Sequence, residues 1–251
     1  MNHNTLSWRI EHACFKAWPA LRDEQISGWL LRFSEGLTRR ANSANPLQTK
    51  LADPNYLIDA CESRYRAQGL PTFFRIPSLI DPAMQECLER RGYKAEGESL
   101  VMYGTMEEAA SQPDDHTELL SKPNEEWLRA MSALQNYTRD RSATYAKIVT
   151  SIAVPVAYVS LRDRERIIAL AYGAIYDGLL CFESVVTDAA FRGCGNARRM
   201  LTSLIDWGKA AGAEGLCLQV EASNQPARRL YSGLGLKELY QYHYRRGPAS
   251  S

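Results

Sequence analysis

Phe182-Glu183-Ser184-Val185-Val186-Thr187-Asp188-Ala189-Ala190-Phe191-Arg192-Gly193-Cys194-Gly195-Asn196-Ala197-Arg198-Arg199-Met200-Leu201 reads as a buried strand, a glycine turn and the opening of an amphipathic helix. Beyond Ala197, apolar or small residues recur at Met200, Leu201, Leu204, Ile205 and Gly208, the three-and-four spacing of a helix with one buried face. Gly193 and Gly195 therefore fall at the helix start. Lacking Cβ atoms, they let the chain turn tightly and let backbone N–H groups converge, while the helix dipole favours an anion there. A phosphate suits such a turn. Two phosphate-binding patterns fail on spacing: a dinucleotide fingerprint needs a glycine where Arg198 stands, and a P-loop needs Gly-Lys-Ser/Thr, which the chain lacks.

What remains is Arg192-Gly193-Cys194-Gly195-Asn196-Ala197 after Val185-Val186-Thr187. This resembles the acetyl-CoA-binding signature of the GNAT superfamily of N-acetyltransferases, Arg/Gln-x-x-Gly-x-Gly/Ala, with Arg192, Gly195 and Ala197 in its specified positions. A second stretch follows in order. Residues 216–220 alternate like a strand, and Asn224, Ala227, Tyr231 and Gly235 match Asn-x-x-Ala-x-x-x-Tyr-x-x-x-Gly-Phe, with Leu236 in place of the phenylalanine. The resemblance covers about residues 116 to 245.

The resemblance implies a mixed α/β fold, an α+β sheet largely antiparallel and flanked by helices, that binds acetyl-CoA as cosubstrate and needs no metal. It implies that Val185 and Val186 bond the pantetheine arm and polarise the thioester carbonyl, and that amides from Gly193 through Cys194, Gly195 and Asn196 to Ala197, with Arg192, hold the pyrophosphate. Tyr231 would be the general acid, since a phenol of ordinary pKa near 10 suits a thiolate leaving group; a packed helix tyrosine is the other reading. Asn224 would bond the pantetheine or cap the helix after it. Glu183 joins Tyr231 in the catalytic set, yet the base is not fixed by sequence: Glu221 lies on another strand beside the expected cleft, and ordered water can relay a proton. The expected reaction is acetyl transfer to a primary amine of a small molecule or protein. A module that senses acyl-CoA without turnover is the alternative.

The rest of the chain sets the context. At 251 residues with 45% apolar residues it can bury one core or two, and a net charge of +1 offers no electrostatic footprint for nucleic acid or an anionic membrane. Cys14, Cys61, Cys87, Cys181, Cys194 and Cys217 show neither Cys-x-x-Cys pairs nor zinc spacing with histidine, and read as small core residues. Residues 1–10 hold no apolar run and no stretch reaches a membrane span, so a cytoplasmic location is expected.

Residues 73–93 repeat the order of parts found in 216–236, with Asp81 on Asn224, Leu88 on Tyr231 and Gly92 on Gly235. Residues 1–110 are thus expected to form a degenerate GNAT-like lobe without glycine cradle or acid, and 116–247 the catalytic one, joined by the polar connector 106–122. Unrelated strand-helix-strand units are the plainer reading. Residues 28–43 look like two strands turning near Gly36, with Arg39, Arg40, Asn42 and Ser43 on a solvated strand edge.

Overall fold

Helices start where a side chain can occupy their first free N–H groups. The computed structural model, which describes residues 5–49, 53–109, 114 and 116–248, shows Asp53, Asp81, Asn124, Thr138 and Asn224 each accepting such a bond. Asp81 and Asn224, aligned above from sequence, are both helix caps.

In chain order the elements are α1 (Leu6–Ala17), β1 (Arg22–Ile26), β2 (Trp29–Phe33), β3 (Ala44–Pro46), α2 (Pro54–Ala67), β4 (Phe73–Pro77), α3 (Pro82–Arg90) and β5 (Lys94–Thr105). There follow β6 (Thr117–Leu120), α4 (Glu125–Leu134), α5 (Arg139–Thr150), β7 (Val156–Asp163), β8 (Arg166–Tyr176), β9 (Leu179–Thr187), α6 (Asn196–Ala210), β10 (Gly215–Glu221), α7 (Gln225–Gly233) and β11 (Lys237–Arg246).

The eleven strands of the described residues form one mixed sheet in the order β1-β2-β3-β4-β11-β5-β10-β9-β8-β7-β6. Exchanging β1 to β5 for β7 to β11 reproduces that order in reverse, and β6 alone falls outside the pattern. The two middle strands have changed places: β5 pairs antiparallel with β10 and β11, while β11 pairs with β4. The expected connector does not interrupt the sheet; its residues 110–113 and 115 lie outside the described residues.

Strand alternation divides the core. Leu170, Tyr172 and Ala174 of β8 face α1, α4 and α5 with Cys14, Trp127, Tyr145 and Ile148, whereas Ala169 and Ala171 face α6 through Leu201, Leu204 and Ile205. A third cluster joins Trp29, Leu31 and Phe74 to α2 and α3. The α6 face is the one its spacing predicts: Met200, Leu201, Leu204, Ile205 and Gly208 are all buried.

The reversal expected near Gly36 is present, and a further hairpin precedes it. The β1–β2 hairpin turns at Ser27 and Gly28, both left-handed at φ 48° and 81°, and β2 then reverses through left-handed Glu35 and Gly36 toward β3. Between β2 and β3 the chain is shaped by Asn42, whose Oδ1 accepts from the N–H groups of Ser34 (2.7 Å) and Gly36 (3.0 Å), and by a 3-10 turn over Arg39–Ala41, before β3 returns antiparallel to β2.

Where β4 and β11 meet α1, a carboxylate and a guanidinium are buried together. Glu11, fully buried, binds Arg75 through both oxygens, one bond being Arg75 Nη2 to Oε1 at 2.9 Å, and Tyr240 donates to Oε1 at 2.6 Å. Arg75 also lies over the Tyr242 ring, 3.7 Å from its centroid. Breaking such a pair leaves a bare buried charge. Arg75→Met is expected to lower unfolding free energy in urea by about 3–5 kcal/mol, and adding Glu11→Leu should recover much of it, because two apolar residues need no pairing.

Candidate active site

β9 and β10 run parallel, yet their pairing spans three registers, Gly215↔Leu179, Leu216↔Leu180 and Cys217↔Cys181. Beyond it the strands part. Each is held by its outer neighbour, β9 by β8 and β10 by β5, so their facing edges line a cleft of about 700 Å³ floored by Glu183 to Thr187 and walled by α6 and α7. Ligands bind where neighbouring parallel strands diverge at their carboxyl ends.

Local conformation aims backbone groups into this cleft. The register of β9 on β8 slips between Leu170↔Val186 and Tyr172↔Glu183, and Ser184 sits in the bulge at φ 54°. A left-handed serine is strained, and it is held by Tyr145, whose hydroxyl donates to Ser184 Oγ at 2.9 Å. At the α6 start, Gly193 (φ 76°) and Gly195 (φ 78°) are left-handed on either side of Cys194, which is not, the alternation by which successive backbone amides make anion-binding concavities. A Cβ on either glycine would meet no protein atom within 4 Å, so the turn faces open space. The hairpin is locked from outside: Arg192 Nε donates to Thr187 O (3.1 Å), Asn196 Nδ2 to Phe191 O (2.9 Å) and Arg198 Nη1 to Gly233 O (2.7 Å).

The structure brings together most of the residues singled out from sequence. Glu183, Val185, Val186, Arg192, Gly193, Gly195, Asn196, Ala197, Asn224 and Tyr231 all line the cleft. Cys194 does not; its side chain is exposed and points its thiol to Arg192 O. Asn224 Oδ1 accepts from Ala227 N at 3.2 Å, the capping role. Tyr231 is 7% exposed, and no described residue hydrogen-bonds its hydroxyl. Burial, reinforced by the Glu183 carboxylate, pushes that hydroxyl well above the usual phenol range.

Arg40 escaped the sequence. Expected on a solvated strand edge, it lies in the 3-10 turn and reaches across to Glu183, Nη2 to Oε2 at 2.5 Å, with its guanidinium 4.8 Å from the Trp18 ring centroid. A contact between residues 143 apart leaves no local signature. Burial raises Glu183 above its ordinary value and Arg40 opposes the rise; for Arg40 burial pulls downward, but Glu183 outweighs it and keeps the guanidinium charged.

Arg40 also opens onto a second chamber of about 590 Å³, which shares Arg40, Gln219, Val220 and Glu221 with the first. Its remaining walls come from residues 36–42, the segment before β4, Arg141 of α5 and Tyr242 and Tyr244 of β11. The two chambers meet on either side of the tip of β10.

A family model described as "Probable histone acetyltransferase Rv0428c C-terminal" matches residues 8–245. The chain belongs to this acetyltransferase family. The N-acetyltransferase YobR of Bacillus subtilis (strain 168), whose name carries the word uncharacterized, is 27% identical over 241 residues, 94% of this chain and 97% of that protein. The probable histone acetyltransferase Rv0428c of Mycobacterium tuberculosis is 26% identical over 81% of this chain, which spans 62% of that longer protein. Among solved structures, a GCN5-related N-acetyltransferase from Kribbella flavida superposes with a TM-score of 0.74 at 14% identity, covering 98% and 97% of the two chains. A tandem GNAT protein from the clavulanic acid biosynthesis pathway gives 0.63 at 10% identity over 83% and 76%. The fold is that of the GNAT N-acetyltransferases.

Among described residues no helix is long and apolar enough to cross a membrane.

The Arg40–Glu183 pair yields a pH test. A carboxyl raised in the folded chain holds more protons folded than unfolded, so its contribution favours folding at low pH and is lost as pH rises from its ordinary 4.5 through the folded value. Arg40→Met removes the opposing cation and raises Glu183 further. Its urea midpoint is expected to fall more steeply than that of the wild type between about pH 5 and about pH 8. Parallel slopes would show that Arg40 does not govern the ionisation of Glu183.

Proposed function

We propose that this acetyltransferase takes its acyl group from acetyl-CoA and delivers it to a primary amine by direct attack. The observation that carries the reading is the cleft between parted strands, with a left-handed bulge at one end, a left-handed glycine row at the other and a protonated tyrosine between. Acetyl-CoA supplies a thioester and a pyrophosphate. The amides of Gly193 to Ala197, with Arg192 and the α6 dipole, bind the anion, and backbone groups of Val185 and Val186 hold the arm and carry developing negative charge on the carbonyl oxygen.

As the amine nitrogen bonds to the acyl carbon, the carbon–sulfur bond breaks. Tyr231, kept protonated by burial, gives its proton to the departing thiolate. The nitrogen loses its own proton to Glu221, directly or through water, since Glu221 borders both chambers and, among described residues, carries no ion pair. Glu183, engaged by Arg40, is on this reading a positioning residue rather than the base. Residues 1–110 form a lobe without its own donor cradle: it contributes Arg40 and walls the acceptor chamber, as sites between lobes commonly require.

Two variants test the assignment. Gly195→Glu places a carboxylate and a Cβ in the open turn and is expected to abolish acetyl-CoA binding in calorimetry while circular dichroism stays native; unchanged affinity would sink the phosphate assignment. Tyr231→Phe is expected to lower kcat by about 100-fold or more with little change in acetyl-CoA affinity, and wild-type turnover would remove Tyr231 from the mechanism.

A further inference from the structure

The second chamber carries charges that say what it would accept. Three arginines reach it. Arg39 is neutralised by Glu96 at 2.7 Å and lies over Tyr244, 5.1 Å from the ring centroid, and Arg40 is neutralised by Glu183. Arg141 has no carboxylate within ion-pair distance among the described residues; its guanidinium sits 5.5 Å from the Tyr137 ring centroid on an exposed part of α5. Among the described residues Glu221 is the only acidic one in this lining, and it too lacks an ion pair. The chamber thus holds one uncompensated cation and one uncompensated anion, and the anion stands at the opening to the donor cleft.

Its polar and apolar walls agree with a small dipolar guest. Leu37, Leu70 and Phe73 line the chamber with the rings of Tyr242 and Tyr244, and the Tyr244 hydroxyl is buried without a hydrogen-bond partner. A volume of about 590 Å³ suits a small molecule. A polyamine would set its second ammonium against the arginine side, which costs free energy in a partly desolvated pocket.

We infer that the acceptor is an amine bearing a carboxylate, an amino acid with an apolar body, whose ammonium faces Glu221 and whose carboxylate pairs with Arg141. The inference rests on the reading of the first cleft as the acyl-donor site. Before transfer the ammonium gives one proton to Glu221, which releases it to water; the neutral nitrogen then attacks, its next proton goes to the freed Glu221 carboxylate, and Tyr231 protonates the departing thiolate. The carboxylate takes no part in bond making and contributes through a charge-assisted pair with a planar guanidinium, a geometry that favours Arg over Lys.

The test compares matched acceptors with and without the carboxylate: L-phenylalanine against phenethylamine, and 6-aminohexanoate against hexylamine, with spermidine and a lysine-rich histone-tail peptide as further arms. Release of free CoA is followed with the full chain, and acetyl-CoA binding is measured separately by calorimetry. In at least one pair the carboxylate-bearing member is expected to have a kcat/KM about 10-fold or more above its partner, the size of a charge-assisted bond. Which pair responds fixes the spacing between amine and carboxylate. Arg141→Gln should erase that preference by raising KM with kcat unchanged, Arg141→Lys should restore part of it, and neither should alter acetyl-CoA affinity. Equal use of both members in both pairs, preference for spermidine or the peptide, or no acetylation of any amino acid would overturn the inference. Loss of acetyl-CoA binding in the wild-type protein would instead overturn the donor-site reading.

Discussion

Two parallel strands that bond for three registers and then separate leave two rows of backbone donors and acceptors facing each other across a gap. That arrangement is costly unless something fills it, because peptide groups away from water need partners. Here the gap is kept open by firm pairing on the far side of each strand, β9 to β8 and β10 to β5. An extended polar arm laid between them can take the place of a missing strand, the same backbone economy by which peptides add to sheet edges. The bulge at Ser184 and the glycine row before α6 are local answers to the same vacancy, turning amides toward it at its two ends.

Charge is buried at the places where the first hundred residues meet the rest. Glu11 and Arg75 sit between α1, β4 and β11, and Arg40 and Glu183 sit between the 3-10 turn and β9. Neither pair is a strong source of stability, since desolvation offsets most of the attraction. Each does penalise any arrangement in which one partner is buried alone. The surfaces around them therefore tolerate little sliding, and the two chambers keep a fixed relation at Glu221.

The parts legible in the sequence were those whose partners lie close along the chain. The glycine turn with the α6 face behind it, and the Asn224 cap with Tyr231 two turns on, are each written within about six helical turns of one another. Arg40 was not legible, because its meaning comes from Glu183 across the fold. The reversal near Gly36 was legible, since Glu35 and Gly36 adopt left-handed angles of 52° and 72° before the chain returns to pair β3 with β2, but the β1–β2 hairpin ahead of it was not, because β1 is built mostly of charged and polar residues. Strand order in the sheet was equally hidden, since alternation identifies a strand and not its neighbours.

The exchange of β5 and β11 bears on how such a site can be reused. Apart from Arg40 and Gln135, the residues that line the first cleft run from 182 to 231, which invites lifting that segment onto another scaffold. Yet β10 is held open by β5, whose sequence ends more than seventy residues earlier, and β11 completes a sheet begun by β4. A transplant bounded by the motifs would carry the cradle without the brace that separates its strands, and β9 and β10 would be free to zip shut. The portable unit is the whole interlocked chain.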